Sequence, residues 1–163
     1  MIEEIPEFWR TEVFHPLSVH FPIALLLAAV VFKIIALKYS REMWERGGSV
    51  LLIAGVVSLW LAVFTGDLAD GIVSRKICDP TILKEHENLA WTTAWLFSAG
   101  LGVDLLRQLK YPIFKNMLFR LVMILLLLIG AGTLTYTGHL GATLVYQQAA
   151  GVYTPSGNCA EFE

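Results

Sequence analysis

The chain has 163 residues, 56% of them apolar and only 16% charged, with a mean hydropathy of +0.62 and a formal charge of −2. A soluble domain carries about a quarter charged residues, so this composition excludes an ordinary soluble domain. The absence of a basic excess excludes a nucleic-acid binder, and no nucleophile motif, phosphate loop or catalytic dyad supports hydrolytic or transfer chemistry.

Residues 1–14 begin with an acidic stretch, MIEEIPEFWR. It lacks the basic start and apolar core of a cleavable leader, so the first span is expected to insert as a mature helix. Four nearly charge-free blocks follow, Leu17–Leu37, Val50–Phe64, Leu89–Val103 and Met117–Thr137. Crossing a bilayer takes about 20 such residues. The expectation is an all-α, four-helix up-down bundle in the membrane: one domain over residues 1–163, with spans of about 16–38, 47–66, 81–107 and 114–146.

Helix 1 is expected to start at Pro16, with His15 outside helical geometry and Pro22 producing a kink. Lys33 and Arg120 lie near one end of their spans, where they can snorkel. Helix 2 is expected to end at Thr65-Gly66-Asp67, before a long loop holding Asp67, Asp70 and Cys78. Asp79-Pro80-Thr81 reads as the start of helix 3, Tyr111-Pro112 as the break before helix 4, and Gly151–Glu163 as irregular chain. No tandem repeat is visible from residue identities.

Basic residues set the orientation. Lys38, Arg41, Arg46, Arg107, Lys110, Lys115 and Arg120 fall on one side, and Arg10, Arg75, Lys76 and Lys84 on the other. The positive-inside rule then places both termini outside, on the periplasmic side of a bacterial inner membrane. Cys78 and Cys159 share that outer side, where a disulfide between them would persist; two free thiols are the alternative.

All four histidines, His15, His20, His86 and His139, gather at this outer level. His20, His86 and His139 align to within a turn. His15 is rotated about 140° from His20 on an ideal helix, so it serves a second centre or a propionate. Small residues lie beneath the three aligned histidines: Ala24 and Ala28 under His20, Ala90 and Thr93 under His86, Thr135 and Gly132 under His139. Such strips leave room for a flat macrocycle, although small faces also serve close helix packing.

The expected centre is haem b, one or two groups, with axial ligands drawn from His20, His86, His139 and His15, and Ala24, Ala90, Thr135 and Gly132 facing the macrocycle. His20 with His86 is the most economical single pair. No C-x-x-C-H attachment motif exists for a c-type haem. Zinc or copper bound by the same four imidazoles is the competing centre. Asp67 and Asp70 read first as a solvated loop start, with orienting a histidine N–H or taking protons from a quinol as the alternative. Trp95 and Tyr136 read first as part of an interfacial aromatic belt, with packing against a cofactor as the alternative. The function expected is electron transfer by a b-type cytochrome or cytochrome-like subunit, not a stand-alone enzyme, with quinol and a periplasmic c-type cytochrome or larger respiratory complex as partners. The alternatives are a non-redox metal-binding protein and a structural subunit of such a complex.

Two segments carry a family resemblance. Phe14-His15-Pro16-Leu17-Ser18-Val19-His20-Phe21-Pro22-Ile23-Ala24-Leu25-Leu26 and Gly138-His139-Leu140-Gly141-Ala142-Thr143-Leu144-Val145-Tyr146 resemble the HPLxVHFPIALL opening and GHLGGxLVY closing motifs of the four-span bacterial membrane proteins called domain of unknown function 2231. His86-Glu87-Asn88-Leu89-Ala90-Trp91 is similar to that family's start of helix 3. Ala142 departs from the motif's second glycine. The resemblance implies four spans and an association with cytochromes and respiratory chains; it implies no defined activity.

Overall fold

The computed structural model describes residues 7–39, 42–109, 113 and 116–154. Four helices are long and apolar enough to cross a membrane: α1 (Thr11–Lys38), α2 (Glu42–Val73), α3 (Pro80–Gln108) and α4 (Met117–Gln148). No strand occurs among the described residues. The two 32-residue helices, α2 and α4, rise about 48 Å at 1.5 Å per residue. That exceeds the ~30 Å hydrocarbon thickness, so their ends reach beyond it.

Local chemistry explains the helix ends. α1 opens as a 3-10 turn over Thr11–Val13 and is helical from Phe14, so His15 lies inside the helix instead of preceding it. Pro16 is tolerated because it falls in the first α-helical turn, where its missing N–H costs nothing. The ladder loosens at Val19 and is closed around it by Val19 N to His15 O, 3.2 Å, and Ile23 N to Val19 O, 3.3 Å. α3 is capped by Asp79, whose Oδ1 accepts from Thr81 N at 2.9 Å, with Pro80 as its first residue. α4 is capped by Asn116, whose side chain accepts from Phe119 N at 3.0 Å.

The end of α2 corrects the sequence expectation. Gly66 does not stop the helix, which runs on to Val73 and takes Asp67 and Asp70 with it. The reason is tertiary: Ala62, Ala69 and Val73 continue one apolar stripe and are all buried, which outweighs a local stop signal. Cys78 is a free, exposed thiol, and Cys159 lies outside the described residues, so the expected disulfide has no support.

α1 packs chiefly on α2 and α3 chiefly on α4, with thinner contacts between these two hairpins. The hairpins repeat each other. His15, Pro22, Leu26, Ala29 and Lys33 form the inward stripe of α1. The residues 71 positions further on, the separation of Lys33 from Asp104, are His86, Thr93, Phe97, Gly100 and Asp104, the inward stripe of α3. All but the partly buried histidines are fully buried. In the second helices the matching offset is 75 positions. Gly48, Leu52, Gly55, Leu59, Ala62 and Ala69 on α2 correspond to Met123, Leu127, Gly130, Leu134, Thr137 and Leu144 on α4, every one buried. Close approaches repeat as well. A Cβ added to Gly55 would meet Leu26 Cδ2 at 2.6 Å, and one added to Gly130 would meet Phe97 Cε2 at 3.0 Å. The bundle is therefore a pseudo-twofold pair of helical hairpins with its axis along the bundle.

Equivalent residues meet each other at both ends of that axis. At one end His15 faces His86; at the other Lys33 faces Asp104. Between them lies a layer of Leu26, Leu52, Ala29, Ala94, Phe97 and Leu127, each 0% exposed. Lys33 does not snorkel. It is 1% exposed, and its Nζ donates to Asp104 Oδ1 (2.6 Å), Ser49 Oγ (2.8 Å) and Glu45 O (3.2 Å). Ser49 in turn donates to Asp104 Oδ2 at 2.6 Å, and Arg107 bridges to Glu45 Oε1 at 2.9 Å. All three ammonium protons are placed, which offsets the cost of burying the charge. Arg120 also turns inward and donates to the Ala36 carbonyl.

Candidate functional site: a histidine pair on the pseudo-twofold axis

Of the four histidines, the fold brings together two. The rings of His15 and His86 lie 6.0 Å apart between centroids, with planes crossed at 81°. Each ring is anchored to the second helix of its own hairpin. His15 Nδ1 is 3.0 Å from the Ala62 carbonyl, and His86 Nδ1 is 3.0 Å from the Thr137 carbonyl. Ala62 and Thr137 are themselves equivalent positions, so the two hydrogen bonds are the same device used twice.

These bonds settle the tautomer. A carbonyl oxygen only accepts, so both Nδ1 atoms carry the proton and both Nε2 atoms present a lone pair. Neither Nε2 has a hydrogen-bond partner among the described residues. A backbone carbonyl on Nδ1 with a free Nε2 is the usual preparation of an imidazole for metal ligation.

A glycine makes each anchor possible. A Cβ on Gly66, one turn beyond Ala62, would stand 3.0 Å from His15 Cε1; a Cβ on Gly141, one turn beyond Thr137, would stand 3.2 Å from His86 Cε1. Gly66→Ala should push His15 off its carbonyl and destabilise the bundle by about 1–3 kcal/mol through overpacking, as read by unfolding in detergent. Gly141→Ala should do less, since its contact is looser. Ser18 completes the floor beneath His15, donating to the His15 carbonyl at 2.9 Å and lying 2.9 Å from Thr65 Oγ1.

The other expected ligands stand elsewhere. His20 is exposed, outside the buried stripe of α1, and Ala24 below it is exposed too. His139 is exposed and stacks on Tyr136 at 6.2 Å, with Thr135 and Gly132 also on the outward face. Ala90, half-buried beneath His86, is the one expected macrocycle-facing residue that turns inward. The physical reason is helix rotation. The stripe 15, 22, 26, 29, 33 is fixed by burial of Leu26 and Lys33, and His20 lies on a different side of the same helix. The fold thus brings His86 next to His15 rather than next to His20.

The neighbouring polar and aromatic residues have partners of their own. Asp67 and Asp70 orient no histidine; main-chain carbonyls do that work. Trp95 packs on Trp60 at 5.2 Å, and Trp60 donates to Ser98 Oγ at 3.1 Å. Tyr136 donates to Glu85 Oε1 at 3.2 Å on the exposed face.

The donor set discriminates between centres. Among the described residues no three metal-ligating side chains converge, whereas a structural zinc takes four ligands and a catalytic one three. Two neutral imidazoles suit the two axial positions of a haem. If a haem were bound there, His15 and His86 would be the residues to hold its iron. A haem bound there would supply one-electron chemistry; the chain supplies the two lone pairs, their orientation and an apolar floor.

No curated protein and no solved structure matches this chain. The family model described as "Predicted membrane protein (DUF2231)" matches residues 12–154, a stretch holding both histidines, both carbonyl anchors and the Lys33–Asp104 pair. The chain is a member of the DUF2231 family of membrane proteins.

Proposed function

We propose that this protein is a membrane b-type cytochrome, or cytochrome-like subunit, carrying electrons through one haem held by His15 and His86. The observation that carries the reading is the pair itself: two imidazoles from equivalent positions, 6.0 Å apart, each with Nδ1 committed to a carbonyl. Electrostatic asymmetry supports placing this end outside. By sequence, seven basic residues, Lys38, Arg41, Arg46, Arg107, Lys110, Lys115 and Arg120, flank the helix ends on the Lys33–Asp104 side against four, Arg10, Arg75, Lys76 and Lys84, on the histidine side. The positive-inside rule assigns the richer side to the cytoplasm. A bacterial inner-membrane protein with both termini outside follows. A quinol in the bilayer is then a suitable donor, and a periplasmic c-type cytochrome or a respiratory complex a suitable acceptor.

A pyridine haemochrome assay on protein purified from haem-replete cells tests this reading. One haem per chain is expected. Two per chain would mean that His20 and His139 also ligate, and none would overturn the proposal.

A further inference from the structure

We propose that a polar cavity at the histidine end receives a carboxylate of the group held below it, one propionate of a haem, with Arg10 and Lys76 as the receiving cations. The inference rests on the haem reading and adds the site that fixes the macrocycle's rotation and depth. The cavity measures about 210 Å³, and its lining includes Arg10, Glu12, Val73, Lys76, Gln148 and Thr154. Val73 and Gln148 are equivalent positions, the last residues of α2 and α4, so the cavity lies between the ends of those two helices. Each is seven residues beyond the glycine that touches a histidine, Gly66 or Gly141. That is about 10 Å of helix, of the order of a propionate arm's reach from the macrocycle centre.

The charges in the cavity are incompletely matched. Glu12 is 6% exposed, and one oxygen, Oε1, serves both cations, at 3.3 Å from Arg10 Nη1 and 3.9 Å from Lys76 Nζ. Charge-assisted hydrogen bonds run about 2.7–2.9 Å, so neither contact is closed. Arg10 Nε is buried without a partner. Two cations held loosely by one carboxylate leave one positive charge in excess, in a cavity that also offers the Gln148 amide. A buried guanidinium nitrogen without an acceptor is costly, and an incoming carboxylate satisfies it.

The test is reconstitution of the haem-free protein in detergent with protohaem or with its dimethyl ester, which lacks both negative charges but keeps the iron and ring. The wild type should bind protohaem at least about tenfold more tightly than the ester, the worth of one charge-assisted hydrogen bond. The Arg10→Gln/Lys76→Gln double variant should bind the two alike. Lys76→Gln alone, at an exposed lysine that leaves Glu12 with Arg10, should lose part of the preference. Lys84→Gln, an exposed control paired with Glu87, should keep all of it. Equal binding of both porphyrins by the wild type, or an undiminished preference in both Lys76 variants, would overturn the cavity assignment while leaving the histidine pair in place. Binding of neither porphyrin by the wild type would overturn the haem reading and this assignment with it.

Discussion

Asp104→Leu is expected to destabilise the bundle by about 3 kcal/mol, because it takes away the counter-charge bonded to a buried ammonium and leaves only the Glu45 carboxylate, 3.7 Å away. Lys33 is 1% exposed and Asp104 2%, and their contact is 2.6 Å. In the variant, Lys33 keeps Ser49, the Glu45 carbonyl and the more distant Glu45 carboxylate, but loses the charged partner it bonds directly. Lys33→Met should cost a similar amount, leaving a buried carboxylate beside Ser49 and Arg107. The double variant Lys33→Met/Asp104→Leu should recover most of the loss, since replacing a whole buried pair with apolar residues is often neutral or stabilising. Unfolding in detergent, followed by helix content, reads all four corners of the cycle. Losses that simply add would show that the two residues do not act as a pair.

His15→Ala or His86→Ala alone is expected to abolish the low-spin haem spectrum, whereas His20→Ala and His139→Ala should leave it intact. A single axial imidazole leaves the iron with an open position and without the strong second ligand that the low-spin state needs, so either deletion removes the low-spin bands even where haem is retained. The contrast separates two arrangements that share the same four residues. If exposed His20 and His139 were the ligands, bundles would have to pair through their lipid faces, and those two variants would lose the spectrum instead. Retention of the spectrum in His15→Ala and His86→Ala together would contradict the assignment.

The membrane class, the helix count and the approximate spans were legible because charge-free runs of about 20 residues leave a chain few alternatives. Family membership was legible in the His15–Leu26 and Gly138–Tyr146 motifs, which the matched region contains. Which two histidines meet was not. Depth along a helix can be counted from sequence, and by depth His20 and His15 differ by little more than a turn; which side of α1 faces the partner depends on burial of Leu26, Ala29 and Lys33. In a membrane helix both sides are apolar, so hydropathy does not identify the inward one.

The same ambiguity hid the internal repeat. The matching pairs are chemically unlike, Lys33 with Asp104 or Pro22 with Thr93, so comparison of identities fails where a common spacing succeeds. One signal was available: His15 and His86 stand as far apart as Lys33 and Asp104. Two pairs of polar residues at one offset in an apolar chain point to equivalent positions. The carbonyl anchors on Ala62 and Thr137 had no signal at all, because any residue can supply a main-chain oxygen.

Electron paramagnetic resonance of the ferric protein tests the central claim most directly, since it reads both the ligands and their mutual angle. Imidazole planes crossed at 81° on one iron predict a strongly anisotropic low-spin signal, lost together with the low-spin visible bands in His15→Ala and His86→Ala. Protein purified from haem-replete cells that shows no low-spin ferric signal, or one unaltered when both histidines are replaced, would contradict a haem held on the axis by this pair.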